Sequence, residues 1–366
     1  MHYKDLEFFN EESFNKETQF LYLHKYLYGG GTTFAAHLLH QTGYSKKKHN
    51  NIFRVTKRTE SKLREFGYGL HYQNISIDLV NKIKFPFIIL FKETHFNVLT
   101  RLNARNDRSD INNNNDNDNK SGIVVVHDYR DISDNIVPHL ANWNLVTIRR
   151  TVQNYLKNRH NLSSLFLYHP FYPYPVITSN QSERKGAVSI SRISFEKNTD
   201  VIIKANKILQ GQQHQPIRLF GCPSRMYVHL YLGGYNGDFN RYYYGMFDKT
   251  FSALSSILAQ SKFVVDLSVL KHDGGGTQYT FLEAIHNGCA LILHRKWLEN
   301  EYVNPEFCDF KEGYNCLAVD NEMELAAIIK KDPDTSKIVA NARKLMNRHV
   351  KSDWSHLLQI DVPKVV

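Results

Sequence analysis

The sequence predicts an α/β protein built from two doubly wound domains that face a cleft. Two observations carry this prediction. Apolar runs rich in β-branched and aromatic residues alternate with helical patterns, which is typical of parallel sheets covered by helices. The chain of 366 residues is also long enough for two domains of about 100 to 200 residues each. Because such domains bind ligands at the carboxyl ends of their strands, we expect a site in the cleft.

The composition narrows the classes of partner and setting. Lys and Arg outnumber Asp and Glu by 46 to 36, and the net charge of +10 favours nucleic acid, an anionic membrane surface or a phosphorylated substrate. The 4 cysteines form no C-x-x-C pair, which argues against a zinc site or a disulfide framework and favours a reducing setting. No signal peptide and no transmembrane run are recognisable, so we expect a soluble, cytoplasmic protein.

The first domain is predicted to span residues 1–170. Its clearest strands are Phe85–Phe91 and Ile123–Val126, and the helix Thr32–Gln41 follows a glycine turn. Between the two strands, residues 108–121 are dominated by asparagine and aspartate, and such a polar segment cannot support packing. We expect a disordered insertion there.

The second domain is predicted to span residues 171–345. The segment Tyr168–Pro175 separates it from the first domain, because its three prolines cannot continue a helix. A helical pattern runs over residues 322–349, and residues 346–366 are expected to form a tail in which Trp354 belongs to a docking helix. The other predicted elements are strand Ala187–Ile190, helix Thr199–Leu209, strand Ile217–Phe220, helix Thr250–Gln260, strand Phe263–Leu267, helix Gln278–Asn287 and strand Ala290–Leu293.

The most informative segment is Asp273–Gly288, DGGGTQYTFLEAIHNG, which follows an apolar strand. Its consecutive glycines, Gly274–Gly276, allow backbone N–H groups to approach an anion, and the following helix, with Thr277 as its predicted N-cap, adds a partial positive charge. Glu283 lies in that helix, where its carboxylate can accept hydrogen bonds from the hydroxyls of a ribose. The alternative interpretation is a flexible loop with a solvated glutamate.

A second candidate group lies in the segment Ser191–Lys197, SRISFEK, directly after the strand Ala187–Ile190. Arg192 and Lys197 can converge there on a diphosphate, the guanidinium as a fork and the ammonium as a point charge. A solvated, charged loop is the plainer alternative. Their position at the carboxyl end of a strand, in the same domain as the glycine run, favours cooperation on one phosphate group.

The first domain contributes two further candidates. His127 and Asp128 follow a buried strand, where the imidazole can hydrogen-bond a sugar hydroxyl and the carboxylate can align or deprotonate an acceptor. Gly30 and Gly31 let the backbone at the start of a helix come close to a donor or an acceptor. A structural histidine and a plain tight turn are the respective alternatives.

The order of these segments resembles the retaining glycosyltransferases with two Rossmann-like domains, the GT-B class, and particularly family 4. The resemblance rests on the N-terminal glycine loop, the His-Asp pair, S-R-x-x-x-E-K and G-x-x-x-x-x-x-L-E-A-x-x-x-G. The segment Glu312–Val319, EGYNCLAV, is similar to the D/E-G-x-N-G-x-L-V segment of that family. A shorter stretch, QYTFLEAIHNG, resembles the bacteriophage DNA alpha-glucosyltransferase, whose acceptor is hydroxymethylated cytosine.

The resemblance implies roles for the side chains. Arg192 and Lys197 would bind the diphosphate of the donor, and Glu283 would bind its ribose. His127 would lie beside the transferred sugar, near the reacting carbon.

The glycine run matches the family less well. The resemblance implies that the backbone of Gly275, Gly276 and Thr277 contacts the transferred sugar and phosphate. The family has a second acid eight residues before the matched glutamate, however, and this chain has Gly275 at that position. Asp273 is the candidate to replace that acid.

The function implied by the resemblance is transfer of a sugar from a nucleoside diphosphate, UDP or GDP, to a carbohydrate or glycoconjugate acceptor with retention. The transfer develops oxocarbenium character on the sugar and charge on the leaving phosphate, which fixed cations and N–H groups can stabilise. We therefore expect no metal requirement and no cofactor besides the nucleotide-sugar donor.

Two alternatives remain open. Basic, aromatic segments such as Arg225–Tyr231 and Arg241–Tyr244, together with the net charge of +10, favour a DNA glucosyltransferase that acts on a modified base. Gly275 in place of an acid favours an inactive module that binds nucleotide sugars. The abundance of Lys, Asn and Ile is typical of an AT-rich genome, which favours a virus-encoded or protist protein.

Overall fold

The computed structural model describes residues 19–23, 27, 29–43, 52–60, 62–81, 87–91, 99–102, 122–129, 132–141, 143–177, 184–270, 276–299 and 308–357. The chain divides into two compact units. Unit 1 comprises Met1–Pro170 and Ser352–Val366, and unit 2 comprises Phe171–Lys351. The predicted insertion at residues 108–121 lies outside the described residues.

Unit 1 is a parallel sheet with helices in its connections. Its elements are β1 Gln19–Leu23, α1 Gly30–Gln41, β2 Ile52–Thr56, β3 Leu63–Gly67, β4 Leu70–Ser76, α2 Ile77–Val80, β5 Phe87–Phe91, β6 Gly122–Val126, α3 Val137–Leu140, β7 Asn144–Thr147, α4 Arg150–His160 and β8 Leu165–Phe166. The sheet order within the described residues is β3-β4-β2-β1-β5-β6-β7-β8. Every neighbouring pair is parallel except β3 and β4.

The strand order of unit 1 reverses beside β1. The chain first builds β2, β3 and β4 on one side of β1, and β5 then starts the other side. In doubly wound folds ligands bind at the carboxyl ends of the strands where the order reverses. The helix α1, which begins with Gly30 and Gly31, follows β1 at this point.

Unit 2 has the same architecture. Its elements are β9 Ala187–Ile190, a 3₁₀ turn Phe195–Lys197, α5 Thr199–Gly211, β10 Arg218–Phe220, α6 Arg225–Tyr231, α7 Asp238–Tyr242, α8 Phe251–Ala259, β11 Phe263–Asp266, α9 Tyr279–His286, β12 Ala290–His294, α10 Arg295–Leu298, β13 Leu317–Val319, α11 Glu322–Lys331 and α12 Ser336–Val350. The sheet order is β10-β9-β11-β12-β13, and all pairs are parallel.

The strand order of unit 2 reverses between β9 and β11. The chain places β10 on one side of β9 and then returns to place β11 on the other side. Both strands are completely buried, as expected for a parallel sheet covered on both faces. The loops after β9 and β11 therefore emerge side by side at the carboxyl edge of the sheet.

The predicted class of two doubly wound α/β domains is confirmed, and the predicted elements of unit 2 appear with boundary shifts of one or two residues. The helical pattern over residues 322–349 corresponds to two helices, α11 and α12, with a break between them. The break occurs because Asp332 adopts a left-handed conformation with φ 46° and Pro333 cannot continue a helix.

The C-terminal segment belongs to unit 1 through a short helix, α13 Trp354–Leu357. The indole of Trp354 is completely buried, and its Nε1 donates a hydrogen bond of 2.9 Å to the carbonyl oxygen of Tyr168. Its ring packs edge-on against Phe34 of α1, with 5.4 Å between the ring centroids. No helix in the described part of the chain is long and apolar enough to cross a membrane.

Candidate functional site

The loops after β9 and β11 in unit 2 are joined by the side chain of Lys197. Its ammonium nitrogen Nζ lies 3.0 Å from Asp266 Oδ2, 2.6 Å from Ser268 Oγ and 2.9 Å from Gln278 Oε1. Asp266 is the last residue of β11, and Gln278 is the residue before α9. The ammonium thus connects the end of each strand at the switch point with the start of the helix that follows.

The charge of Lys197 is compensated within the protein. Lys197 is 8% exposed and Asp266 is 1% exposed, so their ion pair is shielded from water. Ser268 accepts from the ammonium and donates its own hydroxyl hydrogen to Asp266, which fixes the carboxylate on a second side. An ammonium has three N–H donors, and Asp266, Ser268 and Gln278 provide an acceptor for each.

Arg192 presents an exposed cation on the same loop. Its side chain is 49% exposed, and its contact with Glu196 is long, with 3.5 Å between Nη2 and Oε2. Such an exposed ion pair constrains a side chain weakly. The guanidinium can therefore turn toward an anion at the carboxyl edge of the sheet. The ammonium of Lys197, in contrast, is held in a buried position by its three acceptors.

The glycine run is described from Gly276 onward, and Asp273 and Gly275 lie outside the described residues. The carbonyl oxygen of Gly276 accepts a hydrogen bond of 3.1 Å from Trp297 Nε1. Thr277 was predicted to be the N-cap of the following helix, and this was wrong. The N-cap is Gln278, because Thr277 is buried and its hydroxyl donates to Asp309 Oδ2 at 3.0 Å instead.

The segment Glu312–Val319 supports the glycine run from behind. Asn315 accepts a hydrogen bond of 2.7 Å from the backbone N–H of Lys311 and donates one of 2.9 Å to the carbonyl oxygen of Asp309. Asp309 in turn holds Thr277, and burial raises the pKa of its carboxyl group. The segment Glu312–Val319 therefore contributes to holding the loop that contains Thr277 in place.

Glu283 lies in the middle of α9 and is 7% exposed. Burial raises the pKa of its carboxyl group to about 8, because the charged form loses its hydration. The neutral carboxyl group is therefore the dominant form at neutral pH. A strongly raised pKa near other candidate groups is a feature of functional sites.

The first-domain candidates lie in unit 1. Gly31 is closely surrounded, since an added Cβ would lie 3.4 Å from Leu90 Cδ2 and 3.5 Å from Tyr22 Oη. His127 follows β6 directly, and its ring packs edge-on against Phe34 of α1 at 4.7 Å between centroids. The structure thus brings His127 and the helix opened by Gly30 into one cluster, and Asp128 follows His127 in the chain.

The structure divides the predicted site residues into two groups. Arg192, Lys197, Gly276, Thr277 and Glu283 belong to unit 2, and Gly30, Gly31, His127 and Asp128 belong to unit 1. The sequence analysis did not identify the partners of these groups, namely Asp266, Ser268, Gln278 and Asp309. Asp266 ends an apolar strand, and this was the one signal available for it. No cluster of three or more His, Cys, Asp or Glu side chains suited to a metal occurs among the described residues.

Solved structures share this fold at low sequence identity. Alr3699/HepE from Anabaena, in complex with UDP-glucose, has a TM-score of 0.62 and 12% identity over 91% of this chain and 96% of that chain. An alpha-glucosyltransferase in complex with UDP and a 13-mer DNA containing a HMU base has a TM-score of 0.63 and 13% identity over 94% and 98%. A glycosyltransferase from Rickettsia africae has a TM-score of 0.58 and 10% identity over 92% and 94%.

The comparisons bear on the fold. No protein-family model matches the sequence, and no curated protein is similar to it in sequence. The structural likeness extends over more than nine-tenths of this chain and of each of the three proteins. The chain therefore has the GT-B fold of these proteins, which confirms the fold implied by the resemblance in sequence.

Proposed function

We propose that this protein is a glycosyltransferase that transfers a sugar from a nucleoside diphosphate sugar to a carbohydrate or glycoconjugate acceptor, with retention. The observation that carries the proposal is that Lys197 joins the end of β11 to the start of α9 at the switch point of unit 2, with the exposed Arg192 in the same loop. This is the place in a doubly wound domain where the phosphates of a nucleotide bind. The likeness in fold to proteins solved with UDP or UDP-glucose supports a UDP-sugar donor, with a GDP-sugar as the alternative.

The donor diphosphate is bound by cations and N–H groups of unit 2. Arg192 contacts the phosphate next to the leaving oxygen, and the N–H groups of the first turn of α9, beside Gly276 and Thr277, add partial positive charge. Glu283 accepts hydrogen bonds from the ribose hydroxyls. Lys197 contributes a further cation once a phosphate oxygen replaces one of its present acceptors.

Unit 1 supplies the groups that act on the sugar and the acceptor. His127 hydrogen-bonds a hydroxyl of the transferred sugar, and Asp128 orients the acceptor. The backbone at Gly30 and Gly31 approaches the donor because neither residue has a Cβ. Asp273 replaces the acid that the family has at the position of Gly275. The fixed cations of unit 2 make a metal unnecessary.

A thermal-shift screen with UDP, GDP and their sugars tests donor binding. A ligand at 100 times its dissociation constant stabilises the folded state by about 2.7 kcal/mol, which is readily measured as a rise in Tm. We expect a nucleoside diphosphate and its sugar to raise the Tm, and the corresponding nucleoside to have a much smaller effect. No shift with any of these compounds would contradict the proposal.

A transfer assay with the donor found in the screen tests the reaction. We expect release of the nucleoside diphosphate, an α-linked product from an α-linked donor, and full activity in the presence of EDTA. Binding of nucleotide sugars without any turnover over a panel of acceptors would instead support an inactive binding module.

A DNA acceptor is the second candidate, because one surface of unit 2 exposes aromatic rings next to the candidate site. Phe195, in the same loop as Arg192, is 42% exposed, and it packs against Tyr231 of α6, which is 57% exposed. Exposed aromatic rings beside arginines are suited to stacking with nucleobases. One of the proteins with the same fold was solved with a DNA oligonucleotide, which supports this alternative.

A salt titration distinguishes the two acceptors. If the protein contacts several phosphates of DNA, the logarithm of the binding constant falls steeply and linearly with the logarithm of the salt concentration. We expect Tyr231→Ala to weaken DNA binding. Tyr314→Ala, in the loop that precedes β13, should leave it unchanged. Absence of DNA binding at low salt would eliminate the DNA acceptor.

A further inference from the structure

We propose that Gln278 is an exchangeable partner of Lys197, which yields its place on the ammonium to a phosphate oxygen and then binds the same phosphate group. This inference rests on the proposed nucleotide-sugar site. It assigns Gln278 as a residue that determines the affinity for the diphosphate, as distinct from the base or the ribose.

Each N–H donor of the Lys197 ammonium has an acceptor within the protein. Its Nζ lies within hydrogen-bond distance of Asp266, Ser268 and Gln278, one acceptor for each N–H group. A phosphate oxygen can therefore bind Lys197 directly only if one of these acceptors leaves.

The three acceptors differ in how firmly they are held. Asp266 is a buried carboxylate, and separating it from a buried ammonium would leave two uncompensated charges, which is strongly unfavourable. Ser268 is held by two hydrogen bonds to Asp266, one from its backbone N–H at 3.0 Å and one from its hydroxyl. Gln278 provides a neutral amide oxygen at the end of a flexible side chain, so it is the acceptor that costs least to release.

The other end of the amide supports the second half of the exchange. The Nε2 atom of Gln278 is shielded from water and has no hydrogen-bond partner among the described residues. The hydroxyl of Ser194, three residues before Lys197 in the same loop, is likewise shielded and has no partner among them. Buried donors without an acceptor are unfavourable, and a phosphate bound to Lys197 in place of the amide oxygen would supply an acceptor for Nε2.

The position of Gln278 favours a phosphate as the ligand. Gln278 is the N-cap of α9, and its side chain makes no capping hydrogen bond to that helix. The N–H groups of the first turn of a helix attract anions. A phosphate that replaces the amide oxygen of Gln278 on Lys197 would therefore also lie near the start of α9. It would accept a hydrogen bond from Nε2 of Gln278.

The substitution Gln278→Glu tests the exchange. A carboxylate keeps the acceptor for Lys197 and strengthens it by an opposite charge, removes the Nε2 donor and repels a phosphate. We expect the dissociation constant for UDP to rise by about tenfold or more, since like charges in near contact repel strongly at a protein surface. The affinity for uridine should stay within about twofold, and the Tm of the ligand-free protein should not fall.

Calorimetric titrations of wild type and variants with UDP and uridine, or with GDP and guanosine if those bind instead, provide the measurement. Gln212→Glu is the matched control, because it makes the same charge change on an exposed residue after α5, at the opposite edge of the sheet. It should bind UDP as the wild type does. Gln278→Met, which lacks both the acceptor and the donor, should bind UDP more tightly than Gln278→Glu does.

The outcomes separate this inference from the proposed function. Equal weakening of UDP and uridine in Gln278→Glu would indicate a structural role and overturn the exchange, as would unchanged UDP binding or equal losses in the Glu and Met variants. If the wild type binds neither UDP nor GDP, the proposed function fails and the exchange fails with it.

Discussion

At the scale of single residues, the two cations of the segment Ser191–Lys197 have different surroundings. Lys197 is buried and its charge is balanced by Asp266, whereas Arg192 is half exposed and only loosely paired. An exposed guanidinium at the carboxyl edge of a sheet can follow the charge that develops on a leaving phosphate. Under the proposed function, Arg192 is the residue whose loss should affect turnover most directly.

We expect Arg192→Ala to lower turnover by on the order of 10²-fold or more, as the loss of one donor to developing charge does in other enzymes. The measurement is a steady-state transfer assay, with the Tm recorded to show that the fold is intact. Arg159→Ala is the control, because it removes an exposed arginine from α4 in unit 1. Turnover of Arg192→Ala within threefold of the wild type would rule out its role.

The buried carboxyl group of Glu283 predicts a dependence of stability on pH. Its pKa is raised from 4.5 to about 8 by burial, so between these values the group is protonated in the folded state and ionised in the unfolded state. The stability that it contributes is complete below pH 4.5 and is lost as the pH rises through 8, with a slope of at most about 1.4 kcal/mol per pH unit.

Urea unfolding of the wild type and of Glu283→Gln over pH 5 to 9 measures this effect. The difference in the free energy of unfolding between wild type and variant should fall steadily as the pH rises to about 8 and then level off. Parallel pH profiles for the two proteins would show that the carboxyl group is not protonated in the folded state.

At the scale of the elements, the loop after β9 is shaped by a glycine that follows β10. Gly221 has φ 138°, and a Cβ at this position would lie 1.8 Å from the carbonyl oxygen of Ser191. Ser191 is also tied to β10, since its N–H donates to the carbonyl oxygen of Phe220 at 3.2 Å. The path of the loop that carries Arg192 thus depends on the absence of a side chain at Gly221.

We expect Gly221→Ala to lower the free energy of unfolding by about 1 kcal/mol or more and to weaken nucleotide binding, because the loop must shift to accommodate the methyl group. Gly211→Ala is the matched control. Gly211 ends α5, and an added Cβ there would meet no atom within 4 Å, so this substitution should be neutral or slightly stabilising. Thermal unfolding and UDP titration of both variants provide the measurement, and equal behaviour would contradict the argument.

At the scale of the whole molecule, the end of the chain belongs to the same unit as its beginning. Unit 1 contains residues up to Pro170 and again from Ser352, and the buried Trp354 packs on Phe34 of α1. Phe34 in turn contacts His127. The C-terminal segment is therefore part of the core that supports the candidate residues of unit 1.

Trp354→Ala should destabilise the protein by about 3 to 5 kcal/mol, as is usual for the loss of a large buried aromatic side chain. Thermal unfolding measures this loss. Tyr314→Ala, at an aromatic residue that is 46% exposed, is the control and should change the Tm little. A similar Tm for the wild type and Trp354→Ala would show that the segment does not contribute to the core.

Local sequence patterns were sufficient to predict the α/β architecture and to single out several candidate residues of the site. Buried parallel strands such as Phe263–Asp266 are continuous apolar runs, so periodicity and short loops were sufficient to predict the doubly wound fold. The strands β1 to β4, β7 and β8 were not predicted; β3 contains Arg64 and Glu65 and is largely exposed, so it has no apolar run to indicate a buried strand. The glycine run, Arg192, Lys197 and Glu283 were recognisable because their positions follow strands or open a helix.

The contacts that each of these groups makes follow from the way the chain folds. Asp266, Ser268 and Gln278 are 69, 71 and 81 residues from Lys197 in the chain, and the parallel pairing of β9 and β11 brings them to one ammonium. Burial likewise decides the protonation of Glu283. A glutamate within a helical sequence pattern does not indicate whether its carboxyl group will be buried or hydrated. Contacts between distant segments and the loss of water depend on strand order and packing, which local sequence patterns do not encode.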